Sequence, residues 1–223
     1  MTAALIGNVG LTLLKVYDRE AGPDGVHAGC AHVHGLTDEA YFGIGGDGAI
    51  ELHDRKTGFR TIPITKGAYV QFPPWTLHRS VSFDGLEVLT VMGNSGLAER
   101  GDARIFFGKE ADDNPQLHAK LKDLAAQGED GALLRRNHSA EAYSQLMRQW
   151  HEDRPAYEET LERFFARHRR TIERTPILKA WRTKVDTEGS ATVANVGQWR
   201  ADLAKEAFGM CGVLRQVETP QAG

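Results

Sequence analysis

Side chains able to hold one metal ion recur at two places in the chain. His32 and His34 are separated by a single residue, Glu39 follows shortly after, and His78 lies beyond a stretch marked by Gly and Pro. Alternate residues of a β-strand point to one face, so His32 and His34 would project together. Gly35 to Asp38 suits a tight turn that returns the chain to the same place at Glu39, and His78 would arrive from a later strand. Three neutral imidazoles and a carboxylate suit Fe, Mn, Ni, Cu or Zn, and a six-coordinate ion held this way keeps two positions for substrate, water or dioxygen. An open position separates a catalytic metal site from a structural one. His53, His118, His138, His151 and His168 show no ligand spacing with one another.

The elements around these residues divide the chain into two textures. Up to about residue 107, short β-type runs alternate with Gly, Pro and Asp: Leu11 to Tyr17, Ile50 to His53, Arg60 to Ile64, Tyr69 to Phe72, Leu77 to Val81, Leu86 to Met92 and Ala103 to Phe107. Turn signals such as Gly45-Gly46-Asp47-Gly48 and Asp84-Gly85 separate them, the pattern of a β-sandwich or barrel. After Asn114-Pro115, an N-cap and first-turn pair, the period becomes helical. Leu117, Leu121, Leu124 and Ala125 form one stripe. Tyr143, Leu146, Met147 and Trp150 form a second, and Tyr157, Leu161, Phe164, Phe165 and Ile172 a third that begins near Pro155. A fourth helix is expected to carry Trp199, Leu203, Phe208 and Cys211. The expected division is a β-rich unit over 1–109 and a helical region over 110–223.

Composition narrows the function classes. A chain of 223 residues with 41% hydrophobic content can bury a core, and a net charge of −3 gives no reason to expect a nucleic-acid partner. The arginines between Arg163 and Arg174 are offset by Glu158, Glu159, Glu162 and Glu173, as on a solvated helix. No apolar run is long enough to span a membrane, and residues 1–14 lack the pattern of a secretory leader. The expectation is a soluble cytoplasmic protein with no membrane partner. Two cysteines, Cys30 and Cys211, lie too far apart in sequence to suggest a disulfide framework.

The spacing of the ligand candidates resembles the two motifs of the cupin superfamily. The first, G-x5-H-x-H, then E after three or four residues, then x6-G, is matched by His32, His34, Glu39 and Gly46. The second, G-x5-P-x-G-x2-H-x3-N, is matched by Gly67, Pro73 and His78. Val26 stands at the first glycine position with Gly25 beside it, Trp75 replaces the second glycine of the second motif, and Ser82 replaces its asparagine. The match covers residues 26 to 82 closely and about 10–107 loosely. It implies a small β-barrel or jelly roll with His32, His34, Glu39 and His78 pointing into its interior as ligands of one divalent ion, Fe(II) favoured, with Zn, Mn, Ni or Cu as alternatives.

Strand parity and composition add candidates around that site. Cys30 shares the parity of His32, which offers a thiol to the cavity or else a plain small buried residue, and Tyr41 shares that of Glu39, which offers a phenol to the cavity or else barrel packing with a satisfied hydroxyl. Gln71 is a polar residue in an apolar strand, and Trp75 brings an aromatic near the mouth. Glu39 and Tyr41 are the candidates for moving protons. The implied function is a metal-dependent oxygenase, dioxygenase-type, acting on a small organic molecule. The alternatives are a non-redox isomerase or lyase using the ion as a Lewis acid, and a small-molecule-binding barrel without turnover. The helical region is expected to act as a lid, a homodimer surface or part of the barrel packing.

Overall fold

A computed structural model of the chain describes residues 9–93, 97–176, 178–179 and 207–216. Seven strands precede the helices: β1 (Gly10–Val16), β2 (His32–His34), β3 (Glu39–Asp54), β4 (Gly58–Ile64), β5 (Tyr69–Phe72), β6 (Leu77–Met92) and β7 (Ala103–Ile105). All pair antiparallel, with β4, β3, β6 and β1 side by side, β5 added to β3, and β2 between β6 and β7. One face of the curved sheet buries Leu14, Val16, Tyr41, Ile50, Leu52, Ile64, Val70, Phe72, Leu86 and Val88 as the barrel core.

Two segments that read as turns lie inside long strands. Gly45 to Gly48 belongs to β3, and Asp84-Gly85 joins two expected runs into one strand, β6. The register between β3 and β6 shifts three times between Gly43 and Gly48, and Gly46 and Gly85 have φ of 64° and 59°. Facing bulges bend a strand without ending it, and they use the same residue types as turns. A Cβ on Gly46 would lie 2.3 Å from the carbonyl oxygens of both Asp84 and Gly85, so only glycine fits there.

Helices follow, among them α1 (Gly108–Asp113), α2 (Pro115–Asp123), α3 (Glu129–Glu152) and α4 (Arg154–Arg174). Asn114 caps α2 by accepting from the Leu117 N–H at 3.0 Å, and Asp153 caps α4 by accepting from Ala156 at 3.1 Å. The short α1 spans the expected division between residues 109 and 110. The α3 and α4 stripes pack on the outside of the barrel: Tyr143, Leu146, Tyr157, Leu161, Phe164 and Phe165 form one cluster with Ala31, Val33, Leu77 and Phe106. The cause is strand alternation. Because His32, His34 and His78 face inward, their neighbours Val33 and Leu77 face outward, and both are fully buried only because the helices cover them. Arg136 of α3 adds a tether, its guanidinium donating to the carbonyls of Glu20 and Ala28 at 3.1 and 3.4 Å.

The expected fourth helix is corrected. Trp199 and Leu203 lie outside the described residues, whereas Phe208 ends β8 (Ala207–Phe208) and Cys211 precedes β9 (Gly212–Gln216). β9 pairs with β1 from Thr12↔Gln216 to Val16↔Gly212. That ladder satisfies the edge of β1, a requirement that a helical stripe count does not register. The sheet thus takes a strand from beyond residue 110, and residues 1–109 do not contain all of it. Among the described residues no helix is long and apolar enough to cross a membrane.

A buried polar knot also joins barrel to helices. His53 of β3 sits with Nδ1 3.0 Å from the Tyr157 hydroxyl and Nε2 2.7 Å from the Tyr143 hydroxyl. Burial, and next the charge of Arg79, push His53 from 6.5 down to about 3. The folded state therefore refuses a proton that the unfolded chain takes below about pH 6.5. This group costs nothing above that pH and lowers stability as pH falls toward 3, by at most about 1.4 kcal/mol per pH unit. Urea unfolding at pH 7 and pH 5 should show this loss, and His53→Gln should flatten it. Equal slopes in the two proteins would contradict the assignment.

Candidate metal centre

Three strands deliver the four side chains. His32 and His34 come from β2, Glu39 from the first position of β3 and His78 from the second position of β6, with His32 and His78 directly opposite in register. All four are buried, and they offer ligand atoms that lie within 4.8 Å of one another. His32 Nε2 lies 2.9 Å from His78 Nε2, and Glu39 Oε2 lies 3.1 Å from His78 Nε2 and 3.3 Å from His34 Nε2.

The outer nitrogen of each ring decides what the inner one offers. His32 Nδ1 faces the Cys30 carbonyl at 3.0 Å, and His78 Nδ1 faces the Thr76 carbonyl at 3.0 Å. A carbonyl oxygen only accepts, so in each ring Nδ1 carries the hydrogen and Nε2 presents a lone pair. His34 Nδ1 faces the Asp102 carboxylate at 3.4 Å, within ion-pair range but not aligned as a hydrogen bond. Two imidazole lone pairs and a carboxylate oxygen that accepts no hydrogen bond thus converge in a buried space. That is the arrangement a cation stabilises, and the donor set fits a divalent transition ion.

The electrostatics agree. Burial, reinforced by His78 and His34, holds His32 well below its ordinary value. Glu39 is held well below the carboxylate range because His78 and His34 outweigh its burial. His34 is pushed up to about 9, since the carboxylates of Asp102 and Glu39 on either side outweigh burial. Among the protein's own groups, a proton on His34 supplies the positive charge this cluster requires, the role a divalent ion would take.

The surrounding candidates divide. Tyr41 lies in the barrel interior as its parity requires, fully buried, its hydroxyl accepting from Ser80 Oγ at 3.2 Å. Cys30 does not face this space: it packs with Ile105, Phe107 and Ala111 on the helix side. Parity fails there because residues 29–31 are not strand, so alternation does not run back from His32. The thiol beside the site belongs to Cys211, with Sγ 3.7 Å from His32 Nδ1 and 4.0 Å from the Tyr41 hydroxyl. Residue spacing holds no signal for a neighbour that arrives with the last strand. Gln71 is exposed on the outer face of β5, where it accepts from the Tyr69 hydroxyl at 3.0 Å, so it does not line the interior. Phe72 takes the inward position beside it, with its ring 4.6 Å from that of His78. Trp75 adopts φ 65°, the left-handed conformation for which the motif uses glycine. Its ring packs under α4 against Phe165, His168 and Arg169 rather than standing open at a mouth.

No protein-family model matches the chain, and no curated protein matches it. Solved structures with partial similarity include KdgF from Halomonas sp., at 20% identity over 39% of this chain and 68% of that protein, with a TM-score of 0.31. Bacillus subtilis oxalate decarboxylase, a protein with Mn(II) centres, is 17% identical over 46% of this chain and 24% of its own length, TM-score 0.36. WlaRA, a TDP-fucose-3,4-ketoisomerase from Campylobacter jejuni, is 12% identical over 36% and 58%, TM-score 0.31. Each overlap spans less than half of this chain. Of the residues that match the two motifs, His32, His34, Glu39 and His78 lie on three antiparallel strands that bring them together at one place.

Proposed function

We propose that the chain is a metal-dependent enzyme of cupin type, a dioxygenase-type oxygenase acting on a small organic molecule, with His32, His34, Glu39 and His78 as ligands of one divalent ion, Fe(II) favoured. One observation carries it: lone pairs and a carboxylate oxygen from three strands converge in a buried space, with the ring nitrogens on the far side of His32 and His78 already committed to backbone carbonyls. Bound there, Fe(II) supplies a Lewis acid with one-electron chemistry toward dioxygen and positions left open for a chelating oxygen or sulfur group. The apolar barrel around it excludes bulk water, which strengthens every charge interaction inside. Tyr41 stays protonated, because burial raises its phenol well above 10, and so offers a hydrogen-bond donor to a bound molecule.

The Tyr41–Ser80 hydroxyl pair favours one second reading, a metal-assisted isomerase or lyase with Zn or Mn in which Tyr41 moves the proton. Oxygen uptake separates the two. Anaerobically purified protein loaded with Fe(II) should consume oxygen in the presence of at least one of a panel of small molecules with a bidentate oxygen or sulfur donor. Turnover with Zn and none of the oxygen uptake would select the second reading.

A further inference from the structure

Asp102 is fully buried between β2 and the helices and belongs to neither sequence motif. Its placement follows from Gly101, whose φ of 104° turns the chain out of a short 3-10 helix (Ala98–Arg100) into β7. One carboxylate oxygen, Oδ1, accepts from the backbone N–H groups of Gly35 at 2.9 Å and Leu36 at 2.6 Å, the two residues that follow His34. With one oxygen fixed in this way, the other, Oδ2, is directed at His34 Nδ1. The backbone carbonyl of the same residue accepts from Nε2 of His168 at 2.6 Å, a buried histidine on α4. A line of contacts therefore runs from α4 through Asp102 to His34.

Resting on the metal-site reading above, we propose that Asp102 is the positioning residue of this centre. Its carboxylate stands 3.4 Å from His34 Nδ1 and would hold the hydrogen on that nitrogen when an ion binds, leaving the Nε2 lone pair free for the ion, and α4 holds Asp102 in place through His168. Outer carboxylates set the tautomer and orientation of metal-binding histidines in this way. The arrangement gives the helical region a part in the chemistry: it fixes the outer shell of the site as well as covering the barrel wall.

Asp102→Asn isolates the effect. The new amide keeps a carbonyl oxygen for the Gly35 and Leu36 N–H groups and turns its NH2 toward His34 Nδ1. Two donors cannot face each other, so His34 shifts its hydrogen to Nε2 and no longer presents a lone pair to an ion. Dissociation constants for Zn(II) and Co(II), measured by competition with a chromophoric chelator, should rise about 10–100-fold. Long-range 1H–15N spectra of the Zn(II)-saturated protein should show the His34 hydrogen on Nδ1 in the wild type and on Nε2 in Asp102→Asn, a change that a merely structural role would not produce. His168→Phe keeps Asp102 but removes the donor to its carbonyl, and should weaken both ions by less than Asp102→Asn. Unchanged constants in both variants, or an unchanged His34 tautomer in Asp102→Asn, overturn the proposal. A wild-type chain that binds neither ion overturns the metal-site reading and this one with it, whereas a binding wild type with unaltered variants overturns only the role of Asp102.

Discussion

A chain cut after residue 109 should fail to fold into a soluble barrel and should hold no metal. The cut removes β9, leaving the edge of β1 without its partner, and it uncovers Ala31, Val33, Leu77 and Phe106, all within 3% of fully buried. Val33 and Leu77 are sequence neighbours of His32, His34 and His78, so the strands carrying the site lose the packing on their outer face. A single substitution gives a graded version of the test. Phe164→Ala removes a fully buried ring from the shared cluster and should cost about 3–5 kcal/mol, read from the denaturation midpoint at constant m-value. A soluble, folded 1–109 fragment would instead make the helices a detachable lid, contrary to a shared core.

The second large effect is metal-linked stability. An ion that binds only the folded chain stabilises it by about 2.7 kcal/mol at a hundredfold excess over its dissociation constant. For a chain of this size that is a rise of roughly 5–10 °C in Tm. The wild type should show it on addition of Zn(II), Mn(II) or, anaerobically, Fe(II). His32→Ala and His78→Ala should each lose it, because each removes one of two facing lone pairs set in place by the carbonyls of Cys30 and Thr76. His118→Ala, a histidine whose Nε2 faces the Ile105 carbonyl away from the centre, should keep the full metal-induced shift. A shift of the same size in all three variants would place the ion elsewhere.

The centre was legible in the sequence where its geometry is local. His32, His34 and Glu39 lie within eight positions, and alternation along β2 places both imidazoles on one face; His78 followed from the second motif. Tyr41 followed from the parity of a regular strand. Legibility ended where regular alternation ended or where a neighbour came from far along the chain. Cys30 precedes β2 across residues that are not strand and faces the helices, while Cys211, 179 residues from His32, lies beside the ring. Asp102 was missed because a carboxylate just ahead of β7, the strand paired with β2, has no spacing relation to the ligands. Gly45 to Gly48 and Asp84-Gly85 have turn composition because a pair of facing bulges and a turn make the same demand for positive φ. Trp75 is the opposite case: its sequence position identified it as a departure from the motif, and the backbone retains the left-handed conformation with a tryptophan in it. Strain of about 1–3 kcal/mol at such a residue persists only where the surroundings fix it, here by packing against Phe165 and His168 and by an N–H to the His34 carbonyl at 2.8 Å.

Elemental analysis of the anaerobically purified chain, beside His32→Ala and His78→Ala prepared the same way, tests the metal centre most directly. A single equivalent of a divalent transition ion in the wild type and loss of it in both variants is the expected result. A wild type that retains no such ion, or variants whose metal content equals that of the wild type, would contradict it.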